Sequence, residues 1–254
     1  MVQCSRQVER DKNNPGAAEA VPEPPWRRAR KASTRRPLTR DAIVETALRI
    51  LDREGVDAVS MRSVAHELGT GPASLYWHVA NKDELLDLLY DRIIGEVEIP
   101  KGVRTWQEQI KEFAHAIRAV LREHRDVARI TLARIPTGPN AMIRMEWMLG
   151  VLRSAGIPDQ AIALGADAAT LFINAFCYEE ATPFRAAGKT GDIEQGAELL
   201  EQYFSSLPPE RFPNFAALAS ALTMGTVDER FEFGLDMLVR ALESHARPTR
   251  SKRS

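Results

Sequence analysis

In the stretch SLYWHVANKDELL, residues 74–86, a phenol, an indole and an imidazole stand consecutively at Tyr76, Trp77 and His78. Each ring carries a polar tip that can donate a hydrogen bond to an anionic oxygen. Lys82 follows, and Asn81 with Glu84 makes a capping-box-like pair that opens a helix. The first backbone N–H groups of such a helix suit a phosphate. Just ahead of the rings, Ala73 and Ser74 carry small side chains, which let a backbone approach a partner closely. Large rings also fill cores. Leu75 and Val79 are expected to bury this segment, and of the three rings Trp77 is expected to fill a gap between helices.

These groups need elements to hold them. Thr39 is an acceptable N-cap, and behind it Ile43, Val44, Ala47, Leu48, Ile50 and Leu51 recur at helical spacing until Gly55, predicting a helix over 40–54. Ser60 caps a short second helix over 61–68, with Met61, Val64, Ala65 and Leu68 on its inner face. The run Gly69-Thr70-Gly71 breaks it, and Pro72 suits the first turn of a third helix over 72–78 because its missing N–H is not needed there. A fourth helix runs from Asn81 with Leu85, Leu86, Leu88, Leu89, Ile93 and Ile94. Two short helices joined by a tight glycine turn form a helix-turn-helix, whose second helix is about as wide as a DNA major groove.

The remainder reads as helical: 106–123, 125–134, 140–155, 158–180, 194–204 and 226–245, with a Gly/Pro-bearing loop at 181–191. No β-alternation of useful length and no internal repeat is present. The expected fold is all-α, an N-terminal helix-turn-helix domain at 38–94 and a larger helical domain at 95–246, between a basic arm at 1–37 and a basic tail at 247–254. The low apolar content of the arm predicts disorder.

The net charge of −1 conceals an asymmetry. Residues 1–36 carry nine Lys/Arg against four Asp/Glu, and RRARKASTRR at 27–36 has six basic residues and no acid. Such a block attracts polyanions by counterion release, or serves as a solvated tail. Residues 37–82 hold five basic against six acidic residues, so the helix-turn-helix itself is not basic. Cys4 and Cys177 are the only cysteines, which predicts no disulfide and a cytoplasmic protein. No apolar run is expected to reach the roughly 18–20 residues that span a bilayer, so no membrane partner is expected.

An enzyme is disfavoured. AAGKT at 186–190 has Pro183 where a phosphate loop needs glycine, and no strand precedes it. His66-Glu67 lacks the second histidine of a zinc motif, and the five histidines are scattered, so neither a metal site nor a cofactor is expected.

The run LTRDAIVETALRILDREGVDAVSMRSVAHELGTGPASLYWHVANKDELLDLL resembles the N-terminal DNA-binding domain of TetR-family transcriptional regulators, over residues 38–94. EHRDVARITLARIP at 123–136 and RFEFGLDMLVRALE at 230–243 are similar to the tetracycline-repressor-like C-terminal branch. The resemblance implies double-stranded operator DNA as partner and a contact set of Arg62, Thr70, Pro72, Ala73, Ser74, Tyr76, Trp77, His78 and Lys82. Pro72 stands where a polar base-reading residue occurs in the family, implying a different operator. Thr131 stands where that branch carries a metal-ligating histidine, Glu98 where it carries a drug-contacting one, and Glu179 matches an acid of the partner subunit. A magnesium–tetracycline complex is therefore not the expected ligand.

The family also implies a homodimer built by two helices per subunit, here 158–180 and 226–245. The first is rich in alanine, and in the second Phe231, Leu235, Leu238 and Leu242 recur at helical spacing, with Gly234 permitting close approach. A small-molecule effector is expected among Phe113, Met142, Met145, Trp147, Met148, Phe172 and Phe176, with His115, Thr131, Asn174 and Glu179 as polar handles. Methionines adapt to irregular apolar ligands, and each of these residues singly also fits plain core. The expected action is repression relieved by the effector; an activator or corepressor-responsive regulator would share the fold.

Overall fold

The computed structural model describes residues 37–102, 104–132, 134–135, 137–181 and 193–246. The basic arm up to residue 36, the tail from 247 and residues 182–191 of the expected loop lie outside the described residues. Within them the chain forms eleven α-helices and no strand.

Four helices build the N-terminal helix-turn-helix unit, the expected DNA reader and called the reader below. Helix α1 (Arg40–Glu54) is capped by the Thr39 hydroxyl, which accepts from the Ala42 N–H at 3.1 Å. It ends at Gly55, whose φ of 91° favours glycine and whose absent Cβ leaves room for the Asp126 carboxylate. A 3₁₀ turn (Val56–Ala58) leads to α2 (Met61–Glu67), closed by a Ser60–Ser63 capping box. Gly69, at φ 63°, turns the chain into α3 (Pro72–Leu75) and then α4 (Lys82–Ile94). Ile43, Ala47, Leu51, Val64, Leu75, Val79, Leu85 and Leu89 are all essentially without solvent exposure and form the core of this unit.

Helix α3 stops earlier than its sequence predicts. The His78 N–H donates to the Leu75 carbonyl at 2.8 Å, an i−3 bond that tightens the last turn and swings Val79 inward beside Leu75.

Seven helices follow: α5 (Trp106–Glu123), α6 (Val127–Thr131), α7 (Pro139–Ser154), α8 (Asp159–Ala181), α9 (Ile193–Ser205), α10 (Pro213–Thr223) and α11 (Val227–His245). Thr105 with Glu108, and Thr226 with Glu229, form capping boxes that start α5 and α11. Helix α6 is shorter than the expected 125–134 because Asp126 sits at φ 58°, a left-handed conformation that a helix cannot continue through. Helix α10 was not expected at all; Pro213 at its first turn is its start signal.

Helix α8 packs against α5, α6, α7 and α11. Phe231 of α11 is fully buried, 5.6 Å from the Phe172 ring and 5.1 Å from the Phe176 ring. Gly234 lies under Phe172, where a Cβ would fall 2.4 Å from Cζ, so its close approach serves a ring of its own chain. Arg118 of α5, 5% exposed, donates to Glu180 at 2.9 and 2.7 Å and to Asp228 at 2.7 Å, with its guanidinium 4.6 Å from the Phe231 centroid. One expectation is overturned by α8: at 23 residues and a mean hydropathy of 1.4 over an 18-residue window, it is long and apolar enough to cross a bilayer. Four neighbouring helices cover part of it, and a third of that window is buried among the described residues.

Candidate nucleic-acid interface and ligand cavity

The segment carrying α3 presents its rings outward. Leu75 and Val79 are buried as expected, but Trp77 is 89% exposed and Tyr76 55%, so the expectation that Trp77 fills a gap between helices is corrected. The side chains at 75 and 79 already close the interior, leaving 76 and 77 on the opposite face of the turn. Arg62, Pro72, Ala73 and Lys82 are exposed with them, while Thr70, Ser74 and His78 are half-buried. All nine expected DNA contacts thus belong to α2, the turn before α3, α3, the turn that follows it and the start of α4.

The opening of α4 differs in detail from a capping box. The Asn81 side chain accepts from the Glu84 N–H at 2.8 Å, but Glu84 accepts from Ala80 N–H at 2.6 Å instead of from Asn81. Two of the N–H groups at this helix start are therefore already occupied. Glu84 also pairs with Arg40, which donates to the His78 carbonyl at 3.1 Å and so ties the ring-bearing turn to α1.

A second set of contacts joins the reader to the rest of the chain, and one group of them comes from residues 124–134. His124 reaches Asp52 of α1 through Nδ1 and Glu96 through Nε2, each at 3.0 Å. Asp126 accepts from the Val56 N–H at 3.3 Å, and Arg129 makes a two-pronged pair with Asp57 at 2.9 and 3.2 Å. Arg134 bonds Asp83 at 3.0 Å and also Asp87, both on α4. Burial opposes a charge on His124, yet its two carboxylate partners outweigh that and raise its pKa.

Helices α4, α5, α7, α8 and α11 enclose a cavity of about 750 Å³, its open mouth included. Its wall is formed by Tyr90, Ile94, Ile110, Phe113, Ala114, Ile117, Ala141, Arg144, Met145, Met148, Ala169, Thr170, Ile173, Asn174 and Leu235. Its apolar wall, broken by a few polar groups, has the character of a site for a small organic ligand. Of the expected effector residues, Phe113, Met145, Met148 and Asn174 lie on this wall.

The other seven do not. His115 points outward to a pair with Glu232. Thr131 is buried and donates to its own helix, at the Ala128 carbonyl 3.0 Å away. Met142 is 54% exposed. Trp147 touches Phe113, ring centroids 4.9 Å apart, and lines a shallow groove with Arg104 and Trp106. Phe172 packs on Phe231 and Gly234. Phe176 and Glu179 line a separate, more open cleft with Arg122, Leu200, Met224 and Arg230, where Glu179 is held by Arg230 at 2.9 Å.

Sequence reasoning missed the polar part of the wall. Tyr90 follows Leu85, Leu86 and Leu89 on the inner face of α4, and burial pushes its phenol up to about 12, so it stays a hydrogen-bond donor. Arg144 is a lone cation inside the apolar run Met142-Ile143-Arg144-Met145, a signal that was available. It donates to the carbonyls of Val97 at 2.8 Å and Asn140 at 3.1 Å, and to that of Gly95, the cap of α4. In return, Asp91 of α4 accepts from the Ala141 N–H at 3.0 Å and from the Asn140 side chain at 3.1 Å, receiving the start of α7. Gly138 makes this possible, since a Cβ there would lie 2.2 Å from the Asp91 carboxylate. Each helix thus closes an end of the other beside the cavity.

Residues 99–245 match the family model "Tetracyclin repressor-like, C-terminal domain", and residues 43–89 match "Bacterial regulatory proteins, tetR family". An HTH-type transcriptional regulator of Saccharopolyspora erythraea is 40% identical over 147 residues, 57% of this chain and 62% of that relative's length. The HTH-type transcriptional repressor DrrR1 of Streptomyces coeruleorubidus is 33% identical over 210 residues, 81% of this chain and 77% of its own. The TetR family protein ActR of Streptomyces coelicolor, solved in complex with actinorhodin, is 45% identical with a TM-score of 0.75, covering 82% of this chain and 98% of that one. An outward-facing helix-turn-helix, an all-α body and both family matches give one conclusion: the chain belongs to the TetR family of DNA-binding transcriptional regulators.

Proposed function

We propose that this chain is a dimeric repressor that leaves its operator when a small, largely apolar effector fills the cavity walled by Tyr90, Phe113, Met145, Met148 and Asn174. The observation that carries the reading is the double duty of α4. Its first turn follows the ring-bearing segment and holds it through Glu84 and Arg40, while Tyr90 and Ile94 near its other end line the cavity. A ligand that displaces the far end of α4 moves the reader at the near end. Two readers then cease to match half-sites about 34–36 Å apart. Ligand and operator compete through a coupling free energy of about 1–3 kcal/mol.

The boundaries 38–94 for the reader and 95–246 for the effector and dimer domain follow from that division, and the basic arm would add phosphate contacts. The dimer is proposed through α8 and α11. Their outer faces carry Leu164, Leu171 and Tyr178, and Phe233 and Met237, all exposed and spaced three to four residues or multiples apart. This stripe accounts for the apolar character of α8 with protein, not lipid, as its neighbour. A regulator of this kind works in the cytoplasm with the DNA. DrrR1 bears the name repressor, and ActR has been solved with a small molecule, which supports both halves of the reading.

The test is a mobility shift against salt with DNA flanking the chain's own gene, comparing wild type and Tyr76→Ala. Dimeric, specific binding that weakens at least about tenfold in the variant supports the assignment. Binding that follows the basic arm alone, unchanged by the variant, overturns it.

A further inference from the structure

The outer faces of α8 and α11 are not uniformly apolar. On α8 the exposed side chains Leu164, Leu171 and Tyr178 follow one another at seven-residue intervals, and the exposed Asp167 stands between the first two. On α11 the exposed Arg240 comes seven residues after Phe233 and three after Met237. At 3.6 residues per turn, each charge shares with its apolar neighbours a sector of about 60° on its helix. Among the described residues neither Asp167 nor Arg240 has an ion-pair partner, whereas charges beside them do: Lys111 holds Asp236, and Arg230 binds Glu179. The two are also level with each other. Gly165 of α8 lies under Leu242 of α11, Gly234 under Phe172, and Phe176 packs on Phe231. That antiparallel register puts residue 167 at the height of residue 240, one acid and one cation on neighbouring outward faces.

A charge closed into an apolar contact is costly unless an opposite charge meets it. In a two-fold contact both copies offer the same surface, so whatever residue i finds at j of the partner, j finds at i. A face that carries an acid and a cation at one height is complementary to itself when the axis runs along the helix pair. We propose that the α8–α11 face takes a second copy of this chain in a single register, in which Asp167 of each copy pairs with Arg240 of the partner subunit. This rests on the dimer reading and adds what selects the partner. The apolar side chains hold the two copies together, while the two symmetry-related ion pairs fix the register and reject a chain of the same fold that lacks either charge.

The experiment measures the dimer Kd of the full-length protein by analytical ultracentrifugation. Asp167→Arg and Arg240→Glu each set like charges face to face, and each alone is expected to raise that Kd about hundredfold or more. Co-expressed, the two variants are expected to recover a dimer within about tenfold of wild type. Native mass spectrometry should find one copy of each variant in it, because only that combination restores both pairs. Should a single variant fail to fold by circular dichroism, Asp167→Asn and Arg240→Gln, which remove charge without repulsion, are expected to weaken the dimer about tenfold each and no further together. Leu171→Arg, which spoils the apolar contact whatever the charges do, is the control for the face itself. The proposal is overturned if folded charge variants keep the wild-type Kd, or if the co-expressed variants stay apart. If Leu171→Arg dissociates the protein in that case, the dimer reading stands and only the pairing falls. A monomeric wild type, or a Leu171→Arg protein as dimeric as wild type, overturns the dimer reading through these helices and the pairing with it.

Discussion

The imidazole of His124 stands 3.0 Å from the Asp52 carboxylate on one side and 3.0 Å from Glu96 on the other. Both ring nitrogens can donate at once only in the imidazolium form, so the two carboxylates of this joint between α5 and the reader favour the charged ring.

That joint makes stability depend on pH. Burial works against charge at both His124 and Glu96, but hydrogen bonds raise the first above its ordinary 6.5 and lower the second below its ordinary 4.5. The His124 contribution is complete below the unfolded-state value of 6.5 and is lost as pH climbs through the higher folded value. The Glu96 contribution persists above 4.5 and is lost as pH falls through its lower folded value. The difference in Tm between wild type and His124→Gln is therefore expected to be widest at about pH 5–6 and to shrink towards about pH 9. A difference that stays flat across that range removes the charged bridge.

Trp77 is 89% exposed and touches no core. Trp77→Ala should leave unfolding stability within about 0.5 kcal/mol of wild type while weakening operator binding about tenfold or more. Thermal unfolding and a mobility shift on the same preparation check both halves. A large loss of stability returns the indole to a packing role.

Arg118 has the opposite character. Its side chain is 6% exposed and that of Glu180 13%, so removing the cation strands a buried acid. Arg118→Met should cost about 3–5 kcal/mol in urea unfolding, and the double change with Glu180→Met should recover much of it, because two apolar side chains pack where one unpaired charge cannot. If the double variant is no more stable than the single one, the loss came from packing over Phe231.

The reader was legible because its boundaries are written in residues with one strong conformational preference. Thr39 and Ser60 cap, Gly55 and Gly69 take positive φ, and Pro72 begins a helix, each where the sequence pattern placed it. Helix α10 is hard to read because Pro208 and Pro209 look like loop and its Ala/Ser/Leu content has little periodic contrast, although Pro213 marks its start. The cavity was legible only in part. Periodicity tells which side of a helix is apolar, and Phe113 and Phe172 satisfy that equally; whether a ring meets a void or another ring depends on how five helices meet. Trp77 stays outside for the complementary reason: its neighbours Leu75 and Val79 suffice to close the core, and a count of apolar rings does not reveal that.

The contacts between residues 124–134 and the reader all sit on one short segment. His124, Asp126 and Arg129 reach α1 and the 3₁₀ turn, and Arg134 reaches α4. Carried by so short a stretch of chain, these bonds are expected to break together rather than one at a time. The reader is thus expected to experience its attachment as a latch with a threshold, ignoring small fluctuations of the body and yielding abruptly to a sustained one.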